Sequence, residues 1–267
     1  MKIILSVLLA FSFVVSGVQA AALSAEERAA WRLETKARGD WLKAELEAAA
    51  VVNLSYFEFN NSSWLNGRQY APLEAANLEL VPGWSSNAVS LDSASPAVLR
   101  YRDIEADGHT NFLAHRGSLR LWFKPNWSSM SWGGSGPGDV PVLFASGTLN
   151  ATSSWWGLSL DSTGSRLSFA GQTNGTGVEF LYCSVALQEG QWHEIVLTYG
   201  PTNSALFLNG AMLATGSGVL NWPDAATRAV RGFTIRSEDS GLAQARGAFE
   251  NVALFDRPLR PASVTNH

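Results

Sequence analysis

Hydrophobic and polar residues alternate with a period of two along most of this chain, as they do in half-buried β-strands. Within residues 193–199, of sequence HEIVLTY, the apolar side chains at every second position share one face. A turn of sequence GPTNS follows, a second alternation covers residues 205–208, and Asn209-Gly210 is a pair that favours a two-residue hairpin loop. The pattern therefore predicts three consecutive antiparallel strands in this part of the chain.

Similar short runs recur from residue 56 onward, separated by clusters of Gly, Asn, Ser and Pro. The clearest are residues 118–124, 141–145, 156–160, 166–170, 178–183 and 249–255. These runs do not alternate with helical segments, so two antiparallel sheets are favoured over an α/β fold. We predict an all-β, two-sheet jelly-roll sandwich.

The first 20 residues have the pattern of a secretory signal peptide. Lys2 precedes an apolar run over residues 3–15, and the small-residue pattern VQA ends at Ala20. The apolar run is too short for a stable membrane span. We therefore predict cleavage after Ala20 and a secreted or cell-surface protein that does not span a membrane.

A short helical segment is predicted between the signal peptide and the sandwich. Ser24 and Glu27 have the spacing of a capping box, and Asp40 can cap a second helical run. The predicted regions are a signal peptide over residues 1–20, a helical leader over 21–52 and a jelly-roll domain over 53–267.

The composition excludes several classes of partner. The net charge is −4 and only 16% of the residues are charged, so the chain has no basic face for nucleic acid or for anionic membranes. The single cysteine, Cys183, excludes an intrachain disulfide, and its strand-like surroundings predict a small buried residue. The 11 Trp and 13 Phe residues indicate large side chains in a β-core together with some surface aromatics, on which sugar rings and protein partners stack.

Several segments, taken in order, resemble the laminin-G-like, concanavalin-A-like jelly roll. They are YFEFN at 56, NAVSLD at 87, GSLRLWFKPNW at 117, the GQWH strand start at 190 and FENVALFDRPL at 249. The last of these is similar to the terminal pattern D-x-V-x-x-[YF]-x-R-x-L of that family, with Glu250 in place of the usual Asp. The segment YAPLEAANLELVPGW resembles the N-terminal segment of large secreted bacterial proteins, some of which carry RHS/YD repeats. The resemblance implies a module of an extracellular system.

The resemblance also implies that a hydrolase must be considered, because laminarinase-type glycoside hydrolases share the fold. Those enzymes are similar to one another in a strand that carries Glu-x-Asp-x-x-Glu. In this chain Glu179, Glu194 and Glu250 are each followed, two positions on, by an apolar residue. His193 and Glu194 match half of a His-Glu-x-x-His zinc motif, but position 197 is Leu. We predict a non-catalytic protein, with a diverged glycoside hydrolase as the weaker alternative.

The best candidate metal site is the acidic loop DIEADGHTN. Oxygen ligands from Asp103, Glu105, Asp107 and Asn111, with glycine at the sixth position, imitate a calcium loop. The residue at the twelfth position, where such a loop has a bidentate acid, is Ala114. The resemblance to jelly rolls that bind calcium at a loop makes calcium a candidate cofactor, but a solvated acidic turn between strands is favoured over a calcium site here.

The predicted ligand-binding residues are Trp132, Trp155, Trp156 and Trp222. Trp132 lies in a glycine-rich loop, and a strand must point the adjacent Trp155 and Trp156 to opposite faces. Exposed indoles stack on the apolar faces of sugar rings. We predict a recognition module for a glycan or an extracellular protein, with a structural spacer at the head of a larger secreted protein as the alternative.

Overall fold

The architecture comes from a computed structural model, which describes residue 36 and residues 51–91, 95–238 and 240–265. The predictions of a signal peptide and a helical leader lie outside these residues, apart from Lys36, which is helical, and residues 51–52, which precede the first strand. Within the described residues, no helix combines the length and the hydrophobicity that crossing a bilayer requires.

Fifteen strands and three short helical segments make up the described part of residues 51–267. The strands are β1 (Asn53–Phe57), β2 (Glu74–Ala76), β3 (Glu79–Pro82), β4 (Asn87–Leu91), β5 (Val98–Tyr101), β6 (Gly117–Pro125), β7 (Val142–Gly147), β8 (Trp155–Leu160), β9 (Arg166–Thr173), β10 (Thr176–Ser184), β11 (His193–Tyr199), β12 (Asn203–Leu208), β13 (Ala211–Ser217), β14 (Phe233–Ile235) and β15 (Gly247–Phe255). The helical segments are a 3₁₀ turn at Met130–Trp132, α1 (Ala225–Arg231) and α2 (Pro261–Thr265).

The strands form two antiparallel sheets. The larger sheet has eight strands in the order β13-β12-β11-β6-β15-β4-β3, with β1 paired to β15. The smaller sheet has seven strands in the order β10-β9-β8-β7-β14-β5-β2. The prediction of an all-β, two-sheet antiparallel sandwich is confirmed.

The local elements agree with the hydrophobic pattern that predicted them. Each of the six predicted runs overlaps a strand. The β12–β13 hairpin turns at Asn209 and Gly210, whose φ angles of 50° and 78° are those of a two-residue hairpin loop with both residues left-handed. Cys183 is buried in β10, as predicted for a small core residue.

The alternation within β6 separates the two faces of the larger sheet. Leu119, Leu121 and Phe123 have no exposed surface and face the core between the sheets. The residues between them, Arg120 and Trp122, are only half-buried and face outward. The central strand of the larger sheet therefore presents an aromatic and a charged side chain on its outer face.

Part of that outer face is covered by the C-terminal segment. Val196 on β11 and Phe207 on β12 form a small apolar cluster with Val264 of α2, and Leu259 packs against them. This cluster is separate from the main core, because Val196 points away from its neighbours Ile195 and Leu197. The C-terminal segment therefore covers the outer face of the larger sheet over β11 and β12.

Candidate functional site

Two stacked indoles mark the outer face of the larger sheet. Trp122 projects from β6, and Trp84 reaches it from the turn between β3 and β4. Their ring centroids are 5.3 Å apart and their planes are inclined by 21°. Trp84 is 64% exposed, although a large aromatic side chain is normally well buried. The pair therefore offers a flat apolar surface to solvent.

A depression of about 370 Å³ adjoins Trp122. Its polar lining is Asn53, Tyr56, Arg120, Glu194 and Asn251, and its apolar lining is Trp122, Ala253 and Phe255. Binding sites for small ligands combine an apolar or aromatic surface with a few polar groups that fix the orientation of the ligand. The depression has both components side by side.

The strand register places a carboxylate on each side of Trp122. Residues paired across antiparallel strands point to the same face of the sheet. Trp122 is paired with Glu194 of β11 on one side and with Glu250 of β15 on the other. Glu194 forms an ion pair with Arg120, at 3.0 Å between Oε1 and Nε, and Arg120 also donates a hydrogen bond to the carbonyl of Ser263. Glu194 and Glu250 thus lie on the same face of the sheet from two different strands, although neither has a second carboxylate two positions further along its own strand.

Hydrogen bonds hold Glu250 in its ionised form. Burial alone would raise the pKa of Glu250, but the Ser85 hydroxyl and the backbone N–H groups of Trp84, Ser85 and Ser86 donate to its carboxylate and lower the pKa below its usual value. The Tyr56 hydroxyl, which donates to Asn251 Oδ1 at 2.6 Å, has a raised pKa because of burial and the nearby carboxylates. At neutral pH the site therefore holds an ionised Glu250 and a protonated Tyr56.

The four predicted ligand-binding tryptophans lie elsewhere. Trp132 is 56% exposed on the 3₁₀ turn, and Trp155 is half-buried at the start of β8. Trp222 is half-buried against the core, with its ring 6.2 Å from that of His115. Trp156 has no exposed surface, so its assignment as a ligand-binding residue is corrected: of two adjacent strand residues on opposite faces, it is the one that faces the other sheet.

One signal for the observed site was present in the sequence. In GSLRLWFKP the alternation that places Leu121 and Phe123 in the core also places Trp122 outside, beside Arg120. No sequence pattern joins Trp84 to Trp122, because the turn after β3 and the middle of β6 meet only through the pairing of β4, β15 and β6. Trp122 was therefore missed at the level of sequence, although the alternation indicates its outward direction, and so was its contact with Trp84, which no local pattern indicates.

His193 and Glu194 are strand residues with structural partners. The backbone N–H of Gln188 donates to His193 Nε2 at 3.2 Å, and burial lowers the pKa of this histidine. Leu197, at the position where a zinc motif has its second histidine, has no exposed surface and lies in the core. In the described part of the chain, no group of three or more His, Cys, Asp or Glu side chains is placed to hold a metal ion.

The four oxygen donors of the predicted calcium loop face different partners. Asp103 is buried and accepts a hydrogen bond from Arg228 at 3.1 Å, and burial raises the pKa of Asp103 to about 7. Glu105 accepts a hydrogen bond from the Asn111 amide at 2.6 Å, whereas Asp107 accepts one from the Tyr70 hydroxyl. This arrangement does not fit a calcium ion, because a guanidinium and an amide N–H group stand where the cation would need oxygen atoms.

Calcium is expected to leave the melting temperature of the purified protein unchanged at millimolar concentration. A bound ion would stabilise the native state by mass action, and the placement of Asp103 and Asp107 provides no shared position for one. The check is a thermal melt with calcium or with EDTA. A rise in melting temperature that disappears in the Asp103→Ala, Asp107→Ala double variant would establish the site and contradict this expectation.

The two antiparallel sheets define a jelly-roll sandwich. The chain belongs to the Laminin_G_3 family of the concanavalin A-like lectin/glucanases superfamily, whose model matches residues 101–265. No curated protein matches the chain significantly.

Solved structures with the same fold come from several proteins. Domain 4 of AbnA, a GH43 extracellular arabinanase from Geobacillus stearothermophilus in complex with arabinotriose, has a TM-score of 0.58 and 14% identity, and the match covers 81% of this chain and 98% of that one. The receptor binding domain of botulinum neurotoxin type G has a TM-score of 0.56 and 10% identity over 80% of this chain and 50% of that one. Trypanosoma rangeli sialidase in complex with the inhibitor DANA has a TM-score of 0.54 and 16% identity over 79% and 32%. At these identities the likeness concerns the fold.

Proposed function

We propose that this protein is a secreted, non-catalytic module that binds carbohydrate on the outer face of its larger sheet. The observation that carries the proposal is the exposed stack of Trp84 on Trp122 beside a depression lined by polar groups. The apolar face of a sugar ring packs on an indole, and the hydroxyl groups at its edge need donors and acceptors nearby. Arg120 supplies hydrogen-bond donors and Glu194 supplies acceptors, and the pair has no net charge.

The absence of catalysis is part of the proposal. Glu194 and Glu250 flank Trp122, yet glycoside hydrolysis needs one carboxyl group that delivers a proton and a second that attacks or activates water. Glu250 stays ionised under hydrogen bonds from three backbone amides, and Glu194 is engaged by Arg120. A general acid requires a raised pKa, whereas the hydrogen bonds to Glu250 lower the pKa of that carboxyl group.

The remaining parts of the proposal concern setting and partner. Export rests on the signal-peptide pattern that ends at Ala20. A role within a larger polypeptide rests on the resemblance of residues 70–84 to the N-terminal segments of large, RHS-type secreted bacterial proteins. The competing functions are recognition of an extracellular protein through the same aromatic face and a structural spacer with no ligand.

Replacing Trp122 with alanine is expected to weaken glycan binding about 30-fold or more, since a central tryptophan in a binding site contributes about 2 kcal/mol. The wild type is first screened on a glycan array that includes arabino-oligosaccharides and sialylated glycans, because the arabinanase domain was solved with arabinotriose and part of a sialidase has the same fold. Calorimetry on the strongest ligand then compares wild type, Trp122→Ala and Trp84→Ala.

Trp132→Ala is the matched control for Trp84→Ala, because Trp132 is 56% exposed and Trp84 is 64% exposed, but Trp132 belongs neither to the stacked pair nor to the lining of the depression. Its affinity should equal that of the wild type. A reducing-sugar assay on the same glycans is expected to detect no cleavage. Silence of the whole array would support the spacer, and hydrolysis abolished by Glu194→Gln or Glu250→Gln would contradict the non-catalytic proposal.

A further inference from the structure

The carboxylate of Glu250 is bound by the turn that carries Trp84. Glu250 has no exposed surface, although glutamate is rarely fully buried. Its Oε1 atom accepts hydrogen bonds from the backbone N–H groups of Ser85 and Ser86, each at 3.0 Å, and from the Ser85 hydroxyl at 2.6 Å. Its Oε2 atom accepts a hydrogen bond from the backbone N–H of Trp84. Three successive amides of one turn thus converge on one side chain from a distant strand.

Two local features of the chain make this convergence possible. A β-bulge between Glu250 and Ala253 interrupts the pairing of β15 with β6, and bulges change the direction of neighbouring side chains. Gly83 lies so close that a Cβ atom at that position would overlap Glu250 Oε2. The φ angle of Gly83 does not require glycine, so the close approach of the carboxylate is what requires a residue without a side chain.

The position of Trp84 depends on the turn that carries it. Its side chain is 64% exposed and its ring contact is with Trp122. The turn joins the paired strands β3 and β4 and is closed by a hydrogen bond from the N–H of Gly83 to the carbonyl of Ser86, at 2.9 Å. Apart from Glu250, the Asn251 amide donates a hydrogen bond to the Ser85 hydroxyl, at 3.2 Å. The height and angle of the Trp84 indole over Trp122 therefore depend on where the turn is held.

We propose that Glu250 is a positioning residue for glycan binding: its carboxylate holds the turn 83–86 so that Trp84 stacks on Trp122 and the aromatic surface exists before the ligand arrives. The inference rests on the proposed carbohydrate-binding function and adds the residue on which the aromatic surface depends. Charge-assisted hydrogen bonds to backbone N–H groups are about twice as strong as neutral ones, which suits them to fixing an exposed loop. A surface fixed in its bound form binds more tightly, because the ordering cost is not incurred on association.

Two substitutions release the turn in different ways. Glu250→Gln keeps the size of the side chain but replaces one acceptor oxygen with an NH₂ donor, so in either orientation of the new amide at least one backbone N–H group of the turn loses its acceptor. Gly83→Ala keeps the carboxylate and displaces it sterically. If both variants weaken binding alike, the cause is the loss of positioning, because Gly83→Ala keeps the charge that Glu250→Gln removes.

Glu238 offers a matched control elsewhere in the chain. Its carboxylate is also buried and accepts hydrogen bonds from the backbone N–H groups of Leu242 and Ala243, at 2.7 Å and 3.2 Å, in a loop after β14. Glu238→Gln removes the same kind of loop anchor without touching the turn 83–86. If replacing a buried glutamate with glutamine acted only by lowering the stability of the protein, Glu238→Gln would have the same effect as Glu250→Gln.

The test combines two measurements on the purified protein and its variants. Stacked indoles couple their excited states, so the circular dichroism spectrum should contain a couplet that disappears in Trp122→Ala. We expect Glu250→Gln and Gly83→Ala to reduce this couplet and to weaken affinity for the array-selected glycan about 10-fold, as for loss of a charge-assisted hydrogen bond. Glu238→Gln should preserve both, and all variants should retain a cooperative thermal transition.

The outcomes separate this inference from the proposed function. A wild-type couplet and affinity in Glu250→Gln and Gly83→Ala would overturn the positioning role, as would a reduced couplet with unchanged affinity. A wild type that binds no glycan overturns the proposed function, and the couplet then decides by itself whether Glu250 positions Trp84. Equal loss of couplet in Glu238→Gln would show a general loosening of the sandwich and would also overturn the inference.

Discussion

Replacing Trp156 with alanine is expected to lower the free energy of unfolding by about 3 to 5 kcal/mol. The indole has no exposed surface and contacts four rings edge to face or nearly so. Their centroids lie between 4.8 Å and 5.7 Å away, and the rings are those of Phe112, Phe144, Phe169 and Tyr199. Truncation would remove the apolar contacts and leave a cavity between the sheets, which the rigid strands around it cannot fill.

The measurement is urea unfolding, in which a lower midpoint at an unchanged slope reports a loss of stability. Trp132→Ala is the control, because Trp132 is 56% exposed and a surface truncation normally changes stability by less than about 0.5 kcal/mol. Equal destabilisation by the two substitutions would contradict the position of Trp156 in the core.

Replacing Arg236 with alanine is expected to cost about 3 to 5 kcal/mol of stability. Arg236 follows β14 of the smaller sheet and has no exposed surface. Its guanidinium donates to the carbonyls of Val89, at 2.6 Å, and Gly247, at 2.7 Å, both in the larger sheet, and lies over the ring of Phe249. Hydrogen bonds from a charged donor contribute about 1.5 to 3 kcal/mol each, and alanine would leave these carbonyls buried without that donor.

Arg236 also has a backbone φ angle of 78°, a conformation that residues other than glycine rarely adopt. The contacts across the sheets are therefore expected to maintain a backbone conformation that is unfavourable by itself. Arg166→Ala provides the control: that guanidinium pairs with Glu179 at 2.6 Å on the surface, where an ion pair contributes less than about 1 kcal/mol. Urea midpoints that shift equally in the two variants would refute the role of Arg236.

The candidate site could be predicted from the sequence only in part. Period-two alternation in β6 is enough to place Trp122 and Arg120 on a different face from Leu121, because side-chain direction in a strand is a local property. The same rule states that Trp155 and Trp156 face opposite sides, but it does not state which side is the core. Burial on one face depends on where the second sheet lies, and that information is not local.

The acidic loop illustrates the same limit. Asp103, Glu105 and Asp107 have suitable spacing for a calcium loop, but the partner of Asp103 is Arg228, 125 residues further along the chain. Spacing determines which oxygen atoms are near one another along the chain. Spacing does not determine whether a cationic side chain from a distant part of the chain binds those oxygen atoms in place of a calcium ion.

The sequence by itself determined the fold class, most strands, the Asn209-Gly210 hairpin and the burial of Cys183, because these follow from alternation, turn residues and side-chain size. The tertiary structure alone decided that Glu250 reaches the turn of Trp84 and that Trp84 meets Trp122. Those contacts join residues up to 166 positions apart, through the order in which β3, β4, β15 and β6 pair. Strand order is set by the packing of the whole sandwich, so no segment of the chain contains it.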